Sequence, residues 1–252
     1  MNGTLATWLY AISSVVLVSL VSLAGVVTLA VSRSRLKQAV FVMVSLAVGA
    51  MFGDAFIHLL PESFENPRPK AATSVYVLAG IFAFFFLEKF LLWRHQHTFE
   101  SDNHIHPVGY MNVIADGVHN LMDGVLIGAS YLISAQVGLA TTAAVLLHEI
   151  PQEIGDFGVL LHAGFTIRRA LLFNFLSATL AIAGTLIALT IGSGVKGFVA
   201  VVLPLGAGGF IYIAGSDLIP ELHKELTPSK SLLQLVSMIF GVGLMLLLTL
   251  LD

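Results

Sequence analysis

The sequence predicts an all-α polytopic membrane protein with about eight transmembrane helices. Of its 252 residues, 57% are hydrophobic and 11% are charged, whereas soluble domains average about 25% charged residues. The hydrophobic residues form continuous blocks of about 20, the length that crosses a bilayer as a helix. Because the blocks do not alternate residue by residue, they favour helices over a membrane barrel. This composition nearly excludes a soluble enzyme.

Eight such blocks occupy most of the chain, so we predict a single transmembrane domain over residues 1–252. No basic segment precedes the first block, which is also too long for the core of a cleavable signal peptide, and we expect it to remain as a helix. The predicted spans are Leu5–Val31, Ala39–Leu60, Ser74–Trp93, Val108–Ile133, Gly138–Leu161, Ala170–Ile191, Phe198–Ile219 and Leu232–Leu251.

The lysines and arginines between the spans predict the orientation of the chain. Basic residues follow the first, third, fifth and seventh spans, whereas the opposite side would hold only Arg68, Lys70 and Lys196. Positive residues are enriched in cytoplasmic loops. We therefore expect both termini to lie outside the cytoplasm.

Two short segments resemble each other and suggest an internal repeat. The second span ends His-Leu-Leu-Pro-Glu at residues 58–62, and the seventh ends Asp-Leu-Ile-Pro-Glu at residues 217–221. With the predicted orientation these helices run in opposite directions, as in the inverted repeats of secondary transporters. Pro-Glu after an apolar helix is also an ordinary helix stop, so both interpretations stay open.

Polar and charged residues are concentrated in the fourth and fifth spans, where an isolated charge costs on the order of 3 kcal/mol. At about 100° per residue, each span places most of its polar residues on one face. The fourth carries Asp116, His119, Asn120 and Asp123, and the fifth carries His148, Glu149, Gln152 and Asp156, with Glu153 at the edge. Facing each other, these strips could coordinate divalent cations. Mixed nitrogen and oxygen ligands suit Zn²⁺, Fe²⁺, Mn²⁺ or Co²⁺ better than Mg²⁺ or Ca²⁺, and the absence of cysteine excludes thiolate ligands.

Pro151 lies among the polar residues of the fifth span. Proline has no N–H and crowds the carbonyl group one turn before it. We therefore expect the carbonyl of Leu147 to be released and the helix to bend beside the candidate ligands.

These residues match known motifs. The fourth span reads HNLMDG from residue 119, and the fifth reads HEIPQEIGD from residue 148. The pair resembles the HNxxDG and HExPHExGD motifs of one subgroup of the ZIP (Zrt/Irt-like protein) family of metal transporters. The resemblance implies uptake of zinc, or in some members iron, manganese or cadmium, into the cytoplasm. It also implies a two-metal site between helices four and five, and a homodimer. If the source is a prokaryote, we expect the protein in the plasma (inner) membrane.

The resemblance also assigns roles to individual residues. Around the first metal it places His119, Asp123, His148 and Gln152. At the second metal it places Asn120 and Glu149, with Asp123 between the two metals. Asp116, Glu153 and Asp156 are expected to support the site or line the exit path. The metal ions are cargo, and we expect no prosthetic group.

One position departs from the subgroup motif. Gln152 stands where the subgroup has the second histidine of the fifth helix. An amide oxygen is a weaker ligand than imidazole and carries no charge. We therefore expect lower affinity at the first metal and a broader selectivity.

For other polar residues, the sequence gives weaker evidence of a role in metal transport. The predicted cytoplasmic loop at residues 94–107 contains His95, His97, His104 and His106, which either receive metal or are simply solvated. The spans also contain Asp54, His58, Asp217, Asn174 and Ser177. Each could line the path or complete the site, although a lone buried polar residue often makes only one hydrogen bond between helices.

Three alternative functions follow from the same residues. A channel or an efflux carrier would need the same ligands, and only the family resemblance indicates uptake. An intramembrane zinc hydrolase would need an HExxH motif, which Gln152 breaks. The sequence contains no P-loop motif and no clustered basic surface, so we expect neither nucleotide nor nucleic acid as a partner. The expected partners are divalent metal ions and membrane lipids.

Overall fold

The computed structural model describes residues 5–30, 32–65, 69–96, 107–192, 194–195 and 197–250. These residues form eight helical segments, and no strand occurs among them. We number the segments α1 to α8 in chain order, and several contain an irregular turn.

The bounds of the helices follow the order of the predicted spans. The segments are α1 (Leu5–Val21, a 3₁₀ turn at Ser22–Ala24, then Gly25–Ala30), α2 (Arg33–Gly53, a π-helical turn at Asp54–Leu59, then Leu60–Glu65), α3 (Lys70–Gln96), α4 (Pro107–Ile133), α5 (Ala135–His162), α6 (Ile167–Ala178 and Leu180–Gly192), α7 (Val199–Tyr212, a π-helical turn at Ile213–Leu218, then Ile219–Leu222) and α8 (Pro228–Leu248).

Six of these segments are long and apolar enough to cross a bilayer. They are Leu5–Ala24, Gln38–Glu65, Lys70–Leu87, Ile167–Gly192, Val199–Leu222 and Pro228–Leu248. The other two, α4 and α5, contain 27 and 28 residues. At 1.5 Å per residue each is about 40 Å long, more than the ~30 Å hydrocarbon core. The prediction of an all-α polytopic membrane protein is confirmed.

Local sequence explains where the central helices begin. Ser134 alone separates α4 from α5, and its side chain accepts a hydrogen bond from the backbone N–H of Val137. Thr166 caps α6 in the same way by accepting from the N–H of Arg169. Because a side-chain oxygen satisfies one of the free N–H groups at a helix start, these residues fix the boundaries on either side of α5.

The segments that resemble each other in sequence also share an irregular backbone. The π-helical turns of α2 and α7 each begin seven residues before a proline, Pro61 in α2 and Pro220 in α7. π-Helical turns are rare. Their recurrence at the same distance from the Pro-Glu pair supports the repeat over the interpretation of a simple helix stop.

Glycines at which two helices come into close contact also occur at equivalent positions of the repeat. Gly49 in α2 and Gly208 in α7 each lie twelve residues before the proline of their helix. A Cβ atom at Gly49 would lie 2.0 Å from the carbonyl oxygen of Met238 in α8, and one at Gly208 would lie 2.1 Å from that of Val77 in α3. Only glycine permits such an approach. The α2–α8 and α3–α7 pairs are therefore built in the same way.

The contacts also give the relative directions of paired helices. Gly49 meets Met238, and Gly53 further along α2 meets Met245 further along α8, so these two helices run the same way. The pair α4 and α6 is also parallel, since Gly117 faces Leu180 whereas Gly128 faces Ala188. In a bundle where every segment crosses the bilayer, successive segments run in opposite directions. All even-numbered helices must therefore be parallel to one another, as these pairs are.

Exposed charges lie at the turn between α7 and α8. Lys230 Nζ donates a hydrogen bond to Glu225 Oε2 at 2.6 Å, and Thr227 donates to Glu225 Oε1. These hydrogen bonds lower the pKa of Glu225 to about 2. Because its charged residues are exposed, this end of α7 and α8 is suited to water and not to hydrocarbon.

Candidate metal centre

The polar strips of α4 and α5 face each other. The two helices are antiparallel because a single residue connects them. Thr141 in α5 donates a hydrogen bond to Ser130 in α4 at 3.1 Å, near the connection. The strips then meet further down the same interface, as the sequence predicts.

Four side chains converge to form the first cluster: His119, Asp123, His148 and Glu149. Nε2 of His148 lies 3.3 Å from Nε2 of His119 and 3.1 Å from Oδ2 of Asp123. Oε1 of Glu149 lies 3.4 Å from each histidine nitrogen, and Nε2 of His119 lies 3.5 Å from Oδ2 of Asp123. Ligands about 2.0–2.1 Å from a tetrahedral Zn²⁺ are about 3.3–3.4 Å apart. Five of the six separations between donor atoms in the first cluster therefore match those of a tetrahedral cage.

The histidines are held by contacts outside the cluster. His148 Nδ1 lies 3.1 Å from the carbonyl oxygen of Ala144, to which it can donate a hydrogen bond. In that tautomer the lone pair of Nε2 can bind a metal ion. Phe210 of α7 packs against the ring of His148, and Phe84 of α3 packs edge-on against that of His119. Such partners fix the ring orientation and the tautomer of a ligating histidine.

Burial makes this arrangement costly without a cation. Asp123, His148 and Glu149 are each at most 2% exposed. Oε2 of Glu149 has no hydrogen-bond partner, and Oε1 has only the two histidine nitrogens at 3.4 Å. Removing one partner of a buried charge leaves a penalty of about 3–5 kcal/mol. A divalent cation between the two helices would compensate the carboxylates.

A second cluster adjoins the first and shares one residue with it. Asp116, Glu149 and Glu153 bring one carboxylate oxygen each within 4.8 Å of the others. Both oxygens of Glu153 are buried without a hydrogen-bond partner, as are Oδ2 of Asp116 and Oδ1 of Asn120. Glu149 thus lies between an imidazole-rich cluster and an all-carboxylate cluster.

A cavity of about 310 Å³ reaches both clusters from one side. Its walls include Asp116 and His119 of α4, Gln152 and Asp156 of α5, and Phe84 of α3. The cavity continues along the polar strips to Asn112 and away from the α4–α5 connection. It therefore gives water and ions a route to the carboxylates.

The structure places the predicted ligands as follows. His119, Asp123, His148 and Glu149 lie together, and Glu149 belongs to both clusters. Gln152 Nε2 donates to Asp116 Oδ1 at 3.4 Å, and Asn120 Nδ2 donates to the same oxygen at 2.8 Å. Asp116 and Glu153, expected only to support the site, lie in the second cluster, whereas Asp156 lines the cavity.

Sequence reasoning missed Asn112, Phe84 and Phe210. Asn112 lies one turn before Asp116 on the same strip of α4 and donates to Asp156 Oδ1 at 3.0 Å, so an extended analysis of that helix face could have found it. No sequence signal distinguishes the two phenylalanines from the many others in apolar spans.

Pro151 lies inside α5, which continues on both sides of it as one helix. The release of the Leu147 carbonyl and the bend stay predictions. Asn174 packs as a buried hydrogen-bond donor. Its Nδ2 bonds to the carbonyl oxygens of Ser22 in α1 and Glu153 in α5, at 3.3 and 3.2 Å.

The remaining candidates lie apart from the two clusters or outside the described residues. His58 and Asp54 form a buried pair in the π-helical turn of α2, with Nδ1 and Oδ1 3.4 Å apart. The side chains of Asp217 and His95 are outside the described part of the chain, as are the whole of His97, His104 and His106. Their predicted roles stay predictions.

Comparisons with known proteins identify relatives over nearly the whole chain. A family model described as ZIP zinc transporter matches residues 5–109 and 94–249. The chain is 36% identical to the zinc transporter ZIP13 of Pongo abelii over 86% of this chain and 67% of that protein. It is 30% identical to zinc transporter zipt-7.1 of Caenorhabditis briggsae (99% and 81% covered) and to zinc transporter SLC39A7 of Mus musculus (99% and 71% covered).

Proposed function

This chain belongs to the ZIP zinc transporter family, and we propose that the two clusters between α4 and α5 form its transport site. Its relatives are transporters of zinc, so the protein is a multi-pass membrane transporter of divalent metal ions and not an intramembrane hydrolase. Zinc is the expected cargo. The observation that carries the site assignment is the set of four converging donor atoms, of which five separations match a tetrahedral zinc site.

The first cluster is the proposed station for Zn²⁺. Two imidazoles, Asp123 and Glu149 supply nitrogen and oxygen ligands of the type that Zn²⁺ prefers. The second cluster, with Asp116, Glu149 and Glu153, is the proposed second station, and the free Oδ1 of Asn120 supports its inclusion there. Since Glu149 belongs to both, a cation can pass between stations without losing all its carboxylate ligands.

We propose that the direction of transport is into the cytoplasm. With the orientation that the basic residues predict, α4 begins and α5 ends on the cytoplasmic side. The cavity beside Asn112 and Asp156 then leads to that side, whereas Ile127 and Ala144, one turn beyond the first cluster in the other direction, are completely buried. This arrangement suits a state that is open to the cytoplasm.

A homodimer is also part of the proposal. The surface of α3 exposes Phe82, Phe85 and Phe86, which face lipid or a second copy of the chain. Crosslinking in native membranes would distinguish these two surroundings. For a prokaryotic source, the plasma (inner) membrane is the proposed location.

The test of the site assignment is uptake into liposomes. Asp123→Ala removes an anionic ligand of the first station, and we expect zinc uptake to be nearly abolished while membrane insertion is retained. Uptake of zinc and its competition by other radiolabelled metals would be measured with purified protein.

A matched control is Glu65→Ala, which removes an exposed carboxylate at the end of α2. This variant should transport zinc normally. Wild-type uptake by a correctly inserted Asp123→Ala protein would show that the site lies elsewhere.

A further inference from the structure

Two pairs of side chains cross between α4 and α5 below the first cluster. In one, Asn112 of α4 donates through Nδ2 to Asp156 Oδ1 of α5 at 3.0 Å. In the other, Gln152 of α5 donates through Nε2 to Asp116 Oδ1 of α4 at 3.4 Å. Each pair joins one amide to one carboxylate, and the direction of donation is reversed from one pair to the next.

The spacing explains this reciprocity. Asn112 and Asp116 are four residues apart on α4, and Gln152 and Asp156 are four residues apart on α5. Residues at this spacing lie on the same helix face. Since the helices are antiparallel, Asn112 meets Asp156 and Asp116 meets Gln152. We call these contacts the two amide–carboxylate rungs.

In both rungs one carboxylate oxygen is engaged and the other is free. Asp116 Oδ1 accepts from Gln152 and also from Asn120 at 2.8 Å, while Asp116 Oδ2 is buried with no hydrogen-bond partner. Asp156 Oδ2 is likewise buried and unpartnered. Both aspartates line the same cavity.

We propose that Gln152 is a positioning residue that does not bind the metal but holds Asp116 so that only one of its oxygens is available to a cation, as Asn112 does for Asp156. This inference rests on the proposed function, because it concerns the selectivity of the same transport path. The nitrogen of Gln152 faces the carboxylate, which an amide oxygen acting as a ligand would not require.

The restriction to one oxygen selects among cations. Zn²⁺ accepts four ligands in a tetrahedron, and a carboxylate that offers a single oxygen fits that number. Larger and harder cations take more oxygen ligands and often bind both oxygens of a carboxylate. The rungs therefore favour zinc over manganese. This proposal is opposite to the expectation, made from the sequence, that Gln152 broadens selectivity.

The decisive experiment compares two substitutions of Gln152 in liposomes. Gln152→Met keeps the length of the side chain but removes the donor. The apparent KM for zinc should rise by about tenfold, the effect expected for residues that orient metal ligands, and manganese uptake should increase relative to zinc. Gln152→Glu also lacks the donor and adds a negative charge beside Asp116, so it too should raise the KM for zinc.

Gln136→Met is the matched control. Gln136 lies in the first turn of the same helix, and its Nε2 donates to the carbonyl oxygen of Leu248 in α8, away from both clusters. Its substitution should leave unchanged both the KM for zinc and the ratio of zinc uptake to manganese uptake. Zinc titration of the purified variants, together with their thermal unfolding in detergent, separates loss of metal affinity from loss of fold.

The outcomes separate the two proposals. If Gln152→Glu binds zinc as tightly as or more tightly than wild type, Gln152 is an oxygen ligand and the positioning role is wrong. If Asn112→Leu leaves the ratio of zinc to manganese uptake unchanged, the second rung has no such role. Uptake by Asp123→Ala at the wild-type rate would overturn the site itself, whatever the Gln152 variants do.

Discussion

Two groups of helices in this transporter share close glycine contacts but differ in the hydrogen bonds that join their helices. The metal-side group comprises α1, α4, α5 and α6, and side chains bond from one of its helices to the backbone of another. Ser19 in α1 donates to the carbonyl of Ala178 in α6, and Thr185 in α6 donates to that of Gly124 in α4. The flanking group comprises α2, α3, α7 and α8, whose pairs α2–α8 and α3–α7 meet at glycines, as α4 and α6 also do at Gly124 and Gly184. Its hydrogen bond of the same kind, from Gln234 in α8 to the carbonyl of Leu222, lies at the end of α7 and not along the helices.

The difference corresponds to what each group must do. A metal site requires ligands held within about 0.5 Å of their working positions, and directional hydrogen bonds between helices provide that precision. The flanking pairs carry no residue of either cluster and need only close, stable packing. In a bilayer such packing depends on small residues because apolar surface alone gives no preference for a helix over lipid.

Breaking a glycine contact in the flanking group should have the largest effect on folding. A Cβ atom at Gly241 of α8 would lie 2.4 Å from the carbonyl oxygen of Leu46 in α2. Gly241→Ala should therefore separate the two helices and cost about 3 kcal/mol or more, at the upper end of overpacked sites. Thermal unfolding of the purified protein in detergent measures the loss.

Gly243 of the same helix is the control, because a Cβ atom there would meet nothing within 4 Å. Gly243→Ala should unfold at or above the wild-type temperature. Equal stability of the Gly241 and Gly243 variants would mean that close packing does not hold the flanking group together.

Removing a cross-link from the metal-side group should have an intermediate effect. Asn174→Ala leaves the carbonyl groups of Ser22 and Glu153 without their donor, and an unsatisfied buried group costs about 1–3 kcal/mol. Because Glu153 belongs to the second cluster, the KM for zinc should also rise. Unfolding and zinc uptake would be measured on the same preparation.

Thr179→Ala is the comparison for this change. The hydroxyl of Thr179 bonds only to the carbonyl of Leu176 in its own helix, at an exposed position. Its loss should alter neither stability nor the KM for zinc. An Asn174→Ala protein that behaves like Thr179→Ala would remove the distinction between the two groups.

The smallest effect is expected in the predicted cytoplasmic loop at residues 94–107. His95 lies in the last turn of α3 of the flanking group, and His97 follows it in the sequence before α4 of the metal-side group. Replacing both by alanine should leave zinc uptake largely unchanged, since every residue of the two described clusters lies on α4 or α5. A severe loss of uptake, with normal expression, would extend the transport path into this loop.

Sequence alone predicts much of the fold because the bilayer constrains it strongly. Continuous apolar blocks predict all eight helical segments, and the 3.6-residue period places the polar residues of α4 and α5 on one face of each helix. The internal irregularities could not be predicted. The π-helical turns of α2 and α7 and the 3₁₀ turn of α1 depend on packing between helices, and no local residue pattern identifies them.

The sequence predicts which residues belong to the candidate site, but not how they divide into two clusters. Helical periodicity gives the face of each residue but not the rotamer of a long side chain. For that reason the sequence could not show that Glu149 reaches both histidines, or that the amide nitrogen of Gln152 points to Asp116. Contacts from other helices, such as Phe210 against His148, depend on tertiary structure and leave no motif.

The paired π-helical turns carry information about the origin of the molecule. A π-helical turn arises when one residue is inserted into an α-helix, and here the insertion occurs at the same place in both halves, seven residues before the proline. A common origin of the two segments explains this coincidence, with the extra residue already present before they diverged. His58 in α2 then corresponds to Asp217 in α7, each three residues before the proline.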